Sequence, residues 1–179
     1  MHSFTTERLL IRPLAQKDKE FYISLYTDAK IMRNIGTPFT NIEAEKAFES
    51  TIKAAHQIKP KVMTWSIITL ESDEIIGIQG LTKETSDSLN TNIGIILASK
   101  AHGKLFPEEA MGALMEYAFE YLSINKINAF YEKKNLATKR FVKKLGFIYD
   151  IHQQPENKNH AYQYFDMQEW KKNLINRIL

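Results

Sequence analysis

The stretch "NIGIILASKAHGKLFPEEAMGALMEYAFEYLSINKINAF", residues 92–130, constrains the fold more than any other part of the chain. "NTNIGIILA" is rich in branched residues and predicts a strand at about 91–98. A glycine-bearing loop follows, and then a helical pattern from about Pro107 to Leu122, with Pro107 near the first helical position, where its missing N–H is not needed. "KINAFYEK" is a further strand. The helix carries a narrow polar stripe of Glu109, Gly112, Glu116 and Glu120, while Ala110, Leu114, Tyr117, Ala118 and Tyr121 are apolar. So wide an apolar surface implies burial on more than one side. A strand–helix–strand crossover therefore belongs in the middle of a sheet.

The flanking segments extend this frame. "RLLIRPL" alternates and predicts a first strand at 7–13 closed by proline. Phe21, Tyr22, Leu25 and Tyr26 recur at helical spacing, and a second helical pattern runs from Ile42 to about Ile58 after the candidate cap Asn41. "VMTWSIITL" and "EIIGIQGLT", joined by "ESDE", form an antiparallel hairpin. "LATKRFVKKL" is a helix stopped by Gly146, "FIYDIHQ" and "HAYQYFDM" are strands, and a final helix carries Trp170 and Leu174. The expectation is a single α/β domain over 1–179, with a mixed, mostly antiparallel sheet of 6–7 strands and helices on both faces.

Bulk properties exclude several function classes. The 179 residues carry 24 basic and 21 acidic side chains, a formal charge of +3 spread along the chain, which does not favour a nucleic-acid partner. There is no cysteine, so disulfides, thiolate zinc sites and cysteine nucleophiles are excluded. The five histidines never fall at metal-ligand spacing, and no metal site is expected. No leader or membrane-spanning run is legible, giving the expectation of a soluble, cytoplasmic protein without a membrane partner.

Four pieces in order, "TERLLIRPL", the long stretch above, "NLATKRFVKKLGF" and "YQYFDMQEW", resemble the GNAT superfamily of acetyl-CoA-dependent N-acetyltransferases, in particular the branch that acetylates ribosomal-protein N-termini. The resemblance implies the GNAT acyltransferase fold, acetyl-CoA as co-substrate, and direct transfer to a primary amine, either a protein N-terminus or a small amine such as a polyamine or aminoglycoside. It implies that the strand near Ile95 and Leu97 splays from its neighbour and pairs by its backbone with the pantetheine arm. The loop of His102, Gly103, Lys104, Leu105 and Phe106 would aim backbone N–H groups and the positive helix end at the pyrophosphate. Asn135 would hydrogen-bond the arm, or else act as an ordinary helix cap. Lys139, Arg140 and Lys143 either meet the adenine-side phosphate or are solvated charges.

The chain also departs from this pattern. In register with the Q/R-x-x-G-x-G/A phosphate loop, the defining positions are His102, Leu105 and Pro107, and none matches. Leu105 brings bulk where glycine permits close approach, Pro107 lacks an N–H, and Glu108 opposes a bound pyrophosphate. Val142 stands where many GNAT enzymes carry a tyrosine acid, leaving the Thr138 hydroxyl as the resemblance's candidate acid. Glu156 is the candidate general base, with Glu84 as alternative. An alternative reading is a scaffold that has lost turnover and serves as a CoA- or partner-binding module. Tyr162, Tyr164 and Phe165 in the last strand, expected to be exposed, leave room for a homodimer.

Overall fold

The computed structural model describes residues 1–150, 155 and 157–171. In chain order the strands are β1 (Phe4–Thr5), β2 (Leu9–Pro13), β3 (Val62–Thr69), β4 (Ile75–Lys83), β5 (Asn90–Leu97), β6 (Lys126–Glu132), β7 (Ile148–Tyr149) and β8 (His160–Asp166). The helices are α1 (Lys19–Thr27), α2 (Ala29–Met32), α3 (Asn41–Ala55), α4 (Phe106–Tyr121) and α5 (Leu136–Lys144). Residues 167–171 are helical as well. The strands form one sheet in the order β1-β2-β3-β4-β5-β6-β8-β7, antiparallel throughout except at the β5–β6 junction. The eighth strand, beyond the 6–7 expected, is β1, whose two residues pair with Leu10 and Ile11 and are too few to show a period in sequence.

Alternation along the strands divides the core. Leu81, Ile93 and Leu97 join Trp65 and Ile67 beneath α4, while Ile78 and Ile96 face Tyr22 and Leu25 of α1 and Phe48 and Ile52 of α3. Helix α4 sits on the sheet through Ala110, Leu114 and Ala118, all fully buried at i, i+4, i+8, with Met111, Met115 and Phe119 beside them. Fully buried Trp65 packs against Tyr117, and its ring N–H donates to the His2 carbonyl at 3.1 Å. Truncating a buried tryptophan of this kind costs about 3–5 kcal/mol.

Helix ends follow local chemistry. The cap of α3 is Thr40 rather than Asn41: the Thr40 hydroxyl accepts from the Glu43 N–H, and the Glu43 carboxylate accepts from the Thr40 N–H, a reciprocal pair that Asn41 cannot make from inside the helix. Gly146 ends α5 at φ +89°, a conformation that a side chain would strain. The path from β2 into α1 is fixed by Asp18, 4% exposed. Its carboxylate accepts two 2.7 Å hydrogen bonds from Arg12, one from the Ala15 N–H and one from the Ser66 hydroxyl. Burial pushes its pKa up, but these donors together hold it below the ordinary carboxylate value.

Two expectations about the C-terminal third change. Phe165 is buried, at 5% exposure, against Phe119 and Phe147, so it offers no surface to a second copy. It lies on the α4 face of β8, opposite the face that carries Tyr162 and Tyr164. The strand expected in "FIYDIHQ" comprises Ile148–Tyr149 among the described residues, and 151–154 lie outside them, as does Leu174. Trp170 packs on Phe119 with ring centroids 5.7 Å apart. Among the described residues no helix is long and apolar enough to cross a membrane.

Candidate functional site

The centre of the sheet is split. Strands β5 and β6 pair in register only from Asn90↔Lys126 to Asn92↔Asn128. Beyond that, β5 stays with β4 as far as Leu97, while β6 stays with β8 as far as Glu132. Ala98 donates its N–H to the Ile76 carbonyl of β4 at 2.9 Å. Because main-chain groups alternate sides along an antiparallel strand, Ile96 and Gly94 also turn theirs to β4. Ile93, Ile95 and Leu97 turn theirs into the gap. At Gly94 an added side-chain carbon would meet nothing within 4 Å.

A cleft of about 680 Å³ occupies this gap, with walls from both faces of the sheet. One side consists of Ile95, Met111, Asn135, Thr138 and Val142; the other includes Tyr22, Tyr26, Ile35, Phe130, His160 and Tyr162. The Ile95 side chain lines the cleft, whereas Leu97 has its side chain buried in the core. Each turns its backbone N–H and carbonyl into the gap.

The loop entering α4 is exposed at His102, Gly103, Lys104 and Leu105. Gly103 has φ +77°, and Leu105, which caps α4 with no side-chain hydrogen bond, has φ +61°. A left-handed leucine costs about 1–2 kcal/mol that glycine would not. Phe106 is buried, with the Arg8 guanidinium 4.7 Å above its ring, and its N–H is among those left without an intrahelical partner at the helix start. Arg8 clamps the loop further: it donates to the Lys104 carbonyl at 3.0 Å and to the Glu109 carboxylate at 2.7 Å. Burial raises the Glu109 pKa, but bonds from Thr6 and Arg8 bring it below the usual value. Glu108 lies 3.4 Å from the Lys144 ammonium, which offsets part of its charge. Sequence reasoning missed Arg8, whose partners are about a hundred residues away and leave no local signal.

Helix α5 begins at the cleft. The Asn135 side-chain oxygen accepts the Thr138 N–H at 3.1 Å, so Asn135 caps the helix. That bond uses the oxygen and leaves the side-chain NH₂ as a donor. The capping and ligand roles are thus compatible. Thr138 lines the cleft, and fully buried Val142 offers it only hydrocarbon. Lys139, Arg140 and Lys143 are exposed. Glu156 lies outside the described residues. Glu84 is in a smaller polar pocket of about 350 Å³, which shares Thr82, Asn92 and Tyr162 with the cleft.

Several cleft residues escaped the sequence reading. The His160 ring stacks on Phe130 at 4.6 Å and 8°, and its Nδ1 is buried without a hydrogen-bond partner. Tyr131 donates its hydroxyl to the Gln163 side-chain oxygen at 2.6 Å; burial, then Tyr149, pushes its pKa up. Tyr26, stacked on Phe39 at 5.3 Å, has its pKa raised by burial and by Tyr22. Gln79, 2% exposed with neither side-chain amide atom paired, stands in the wall beside Ile95. In sequence these aromatics were legible only as helix or strand patterning, since nothing local says that α1 and β8 border one cavity.

A sheet that parts at its centre, with a helix N-terminus at the end of the open strand, is an architecture that offers an extended acyl carrier a backbone edge. Residues 8–148 match the family described as "Acetyltransferase (GNAT) domain", and the chain belongs to that family. It is 28% identical over 148 residues to the uncharacterized N-acetyltransferase p20 of Bacillus licheniformis, covering 82% of this chain and 83% of that one. The fold matches the spermidine N-acetyltransferase of Vibrio cholerae, solved with CoA and spermine, at TM-score 0.77 and 18% identity, covering 93% and 99% of the two chains. It also matches the ribosomal-protein-S5-alanine acetyltransferase of Vibrio fischeri at TM-score 0.74 and 16% identity, covering 95% and 99%.

Proposed function

We propose that residues 1–179 act as one domain that transfers an acetyl group from acetyl-CoA to a primary amine by direct attack in the β5–β6 cleft. The observation that carries this reading is the unpaired backbone edge of β5 from Ile93 to Leu97. The open space at Gly94 leaves room beside that edge for a flat, extended arm. In this reading Ile95 and Leu97 pair with the pantetheine as an added strand, and the Asn135 NH₂ donates to it while the Asn135 oxygen keeps its cap. The N–H groups of Gly103, Lys104, Leu105 and Phe106, with the His102 and Lys104 side chains, face the pyrophosphate at the positive end of α4. When bound, acetyl-CoA supplies the activated acetyl group.

The amine nitrogen forms a bond to the acetyl carbonyl carbon as the carbon–sulfur bond breaks; the amine loses a proton and the leaving thiolate takes one. Thr138, in the cleft wall, delivers a proton to the sulfur. His160, whose ring borders the cleft, accepts the proton from the amine, with Glu156 as a second acceptor through water. Single variants His160→Gln and Glu156→Gln separate the two: the true base loses the rise of rate with pH.

Calorimetric titration with acetyl-CoA, paired with thiol release in the presence of mixed primary amines, tests the reading. Micromolar binding and amine-dependent thiol release are expected. Absence of binding heat at millimolar acetyl-CoA contradicts it. Binding without turnover would instead favour the scaffold reading, which draws on Val142, a cleft residue with no proton to give.

A further inference from the structure

The acceptor side of the cleft has a chemical character of its own. Tyr22 and Tyr26 of α1, with centroids 4.5 Å apart, and Ile35 form one wall. The stacked pair Phe130 and His160, with Tyr162 from β8, forms the other. Ile35 and Phe130 are 46% and 55% exposed and both border the cavity, so they present apolar surface to an open, concave site. Wet apolar surface of that kind in a concave site favours an apolar ligand.

Charge on the described walls is scarce, Glu156 lying outside the described residues. Among the described lining residues there is one carboxylate, Glu132, and no lysine or arginine. The Glu132 carboxylate is itself 2.7 Å from the Lys134 ammonium. Tyr26 supplies no negative charge near neutral pH, because burial raises its pKa. A ligand with several cationic centres would leave its second and third charges facing tyrosine, isoleucine and phenylalanine, which is costly without counter-ions. A single ammonium can rest on the aromatic faces before losing its proton. Hydrogen-bonding groups do border the cavity, at Asn34, Thr51, Thr64 and Asn92.

We infer that the acceptor is a small primary monoamine carrying an aromatic ring, seated between the Tyr22–Tyr26 wall and the Phe130–His160 pair, and not a polyamine. This inference rests on the proposed acetyl transfer and specifies its substrate class. Phe130, stacked on His160 through one face, is the anchor, since at 55% exposure it is the most exposed aromatic ring of the described lining.

The test compares kcat/KM for 2-phenylethylamine, spermidine and an alanine-initiated tripeptide at saturating acetyl-CoA, followed by thiol release. The expected result is 2-phenylethylamine at least tenfold above the other two. Phe130→Ala, at an exposed position where folding is not at stake, should raise the KM for 2-phenylethylamine about tenfold with the KM for acetyl-CoA unchanged. Turnover of spermidine or the tripeptide at an equal or higher kcat/KM overturns the inference while leaving acetyl transfer intact. No turnover of any amine, with acetyl-CoA still bound in a calorimeter, overturns both. An unchanged KM in Phe130→Ala likewise removes the anchor.

Discussion

The two sides of the cleft are made of different materials. On the side proposed for acetyl-CoA, the groups facing the gap are mostly backbone: the open edge of β5 and the amides entering α4. On the side proposed for the acceptor they are side chains: Tyr22, Tyr26, Ile35, Phe130, His160 and Tyr162. A backbone site survives most sequence change, because every residue except proline carries the same N–H. A side-chain site changes its ligand with each substitution. The difference explains how "HGKLFP" can lose the usual glycines and still enter α4 at the end of an open strand.

The largest expected effect lies where the sides meet. Gly94→Val adds carbons where nothing stands within 4 Å, so the protein should melt within about 2 °C of wild type, since substitutions away from packed contacts are nearly neutral. Filling the gap should cut turnover at least about a hundredfold, equivalent to about 2.7 kcal/mol. Full activity in a normally folded Gly94→Val variant would mean that the ligand does not pass through the split.

On the cofactor side, Asn135→Asp separates cap from donor. Aspartate caps α5 as well as asparagine does, so thermal stability should be kept. The NH₂ donor is lost and a charge gained, so the Kd for acetyl-CoA should rise about tenfold by calorimetry, roughly 1.4 kcal/mol. If Asn135→Ala lowers stability while Asn135→Asp leaves both stability and Kd unchanged, Asn135 is a cap and nothing more. A smaller effect, of opposite sign, is expected at Leu105. Leu105→Gly removes the left-handed strain at φ +61° and should stabilise the fold by about 1 kcal/mol, seen as a raised Tm. It should also tighten acetyl-CoA severalfold by letting the ligand approach the helix start.

The same contrast accounts for what the sequence made legible. The crossover at 92–130 was readable because strand and helix periods are local, and its two strands and helix stand where the pattern puts them. The parting of β5 from β6 came through the family resemblance, and the registers bear out that splay. Strand β1 was missed because two residues carry no period. The cap of α3 shifted by one residue because Thr40 and Glu43 form a reciprocal pair that outcompetes Asn41. Phe165 was misjudged because "HAYQYF" alternates aromatic residues on both faces, and alternation alone does not say which face α4 covers. The acceptor wall was illegible for a deeper reason. Tyr22, Phe130 and His160 come from three elements, and only the tertiary fold brings α1 and β8 to one cavity.

The division of the cleft is tested most directly by the calorimetric Kd for acetyl-CoA in two variants. Ile95→Pro deletes an N–H that points away from β4, into the split, and so removes the proposed pantetheine contact without breaking the ladder. Phe130→Ala deletes the aromatic anchor of the opposite wall. The expected result is binding about tenfold weaker in Ile95→Pro, by the loss of one well-made hydrogen bond, and a Kd within about twofold of wild type in Phe130→Ala. Equal weakening in both variants, or none in a folded Ile95→Pro protein, would contradict it.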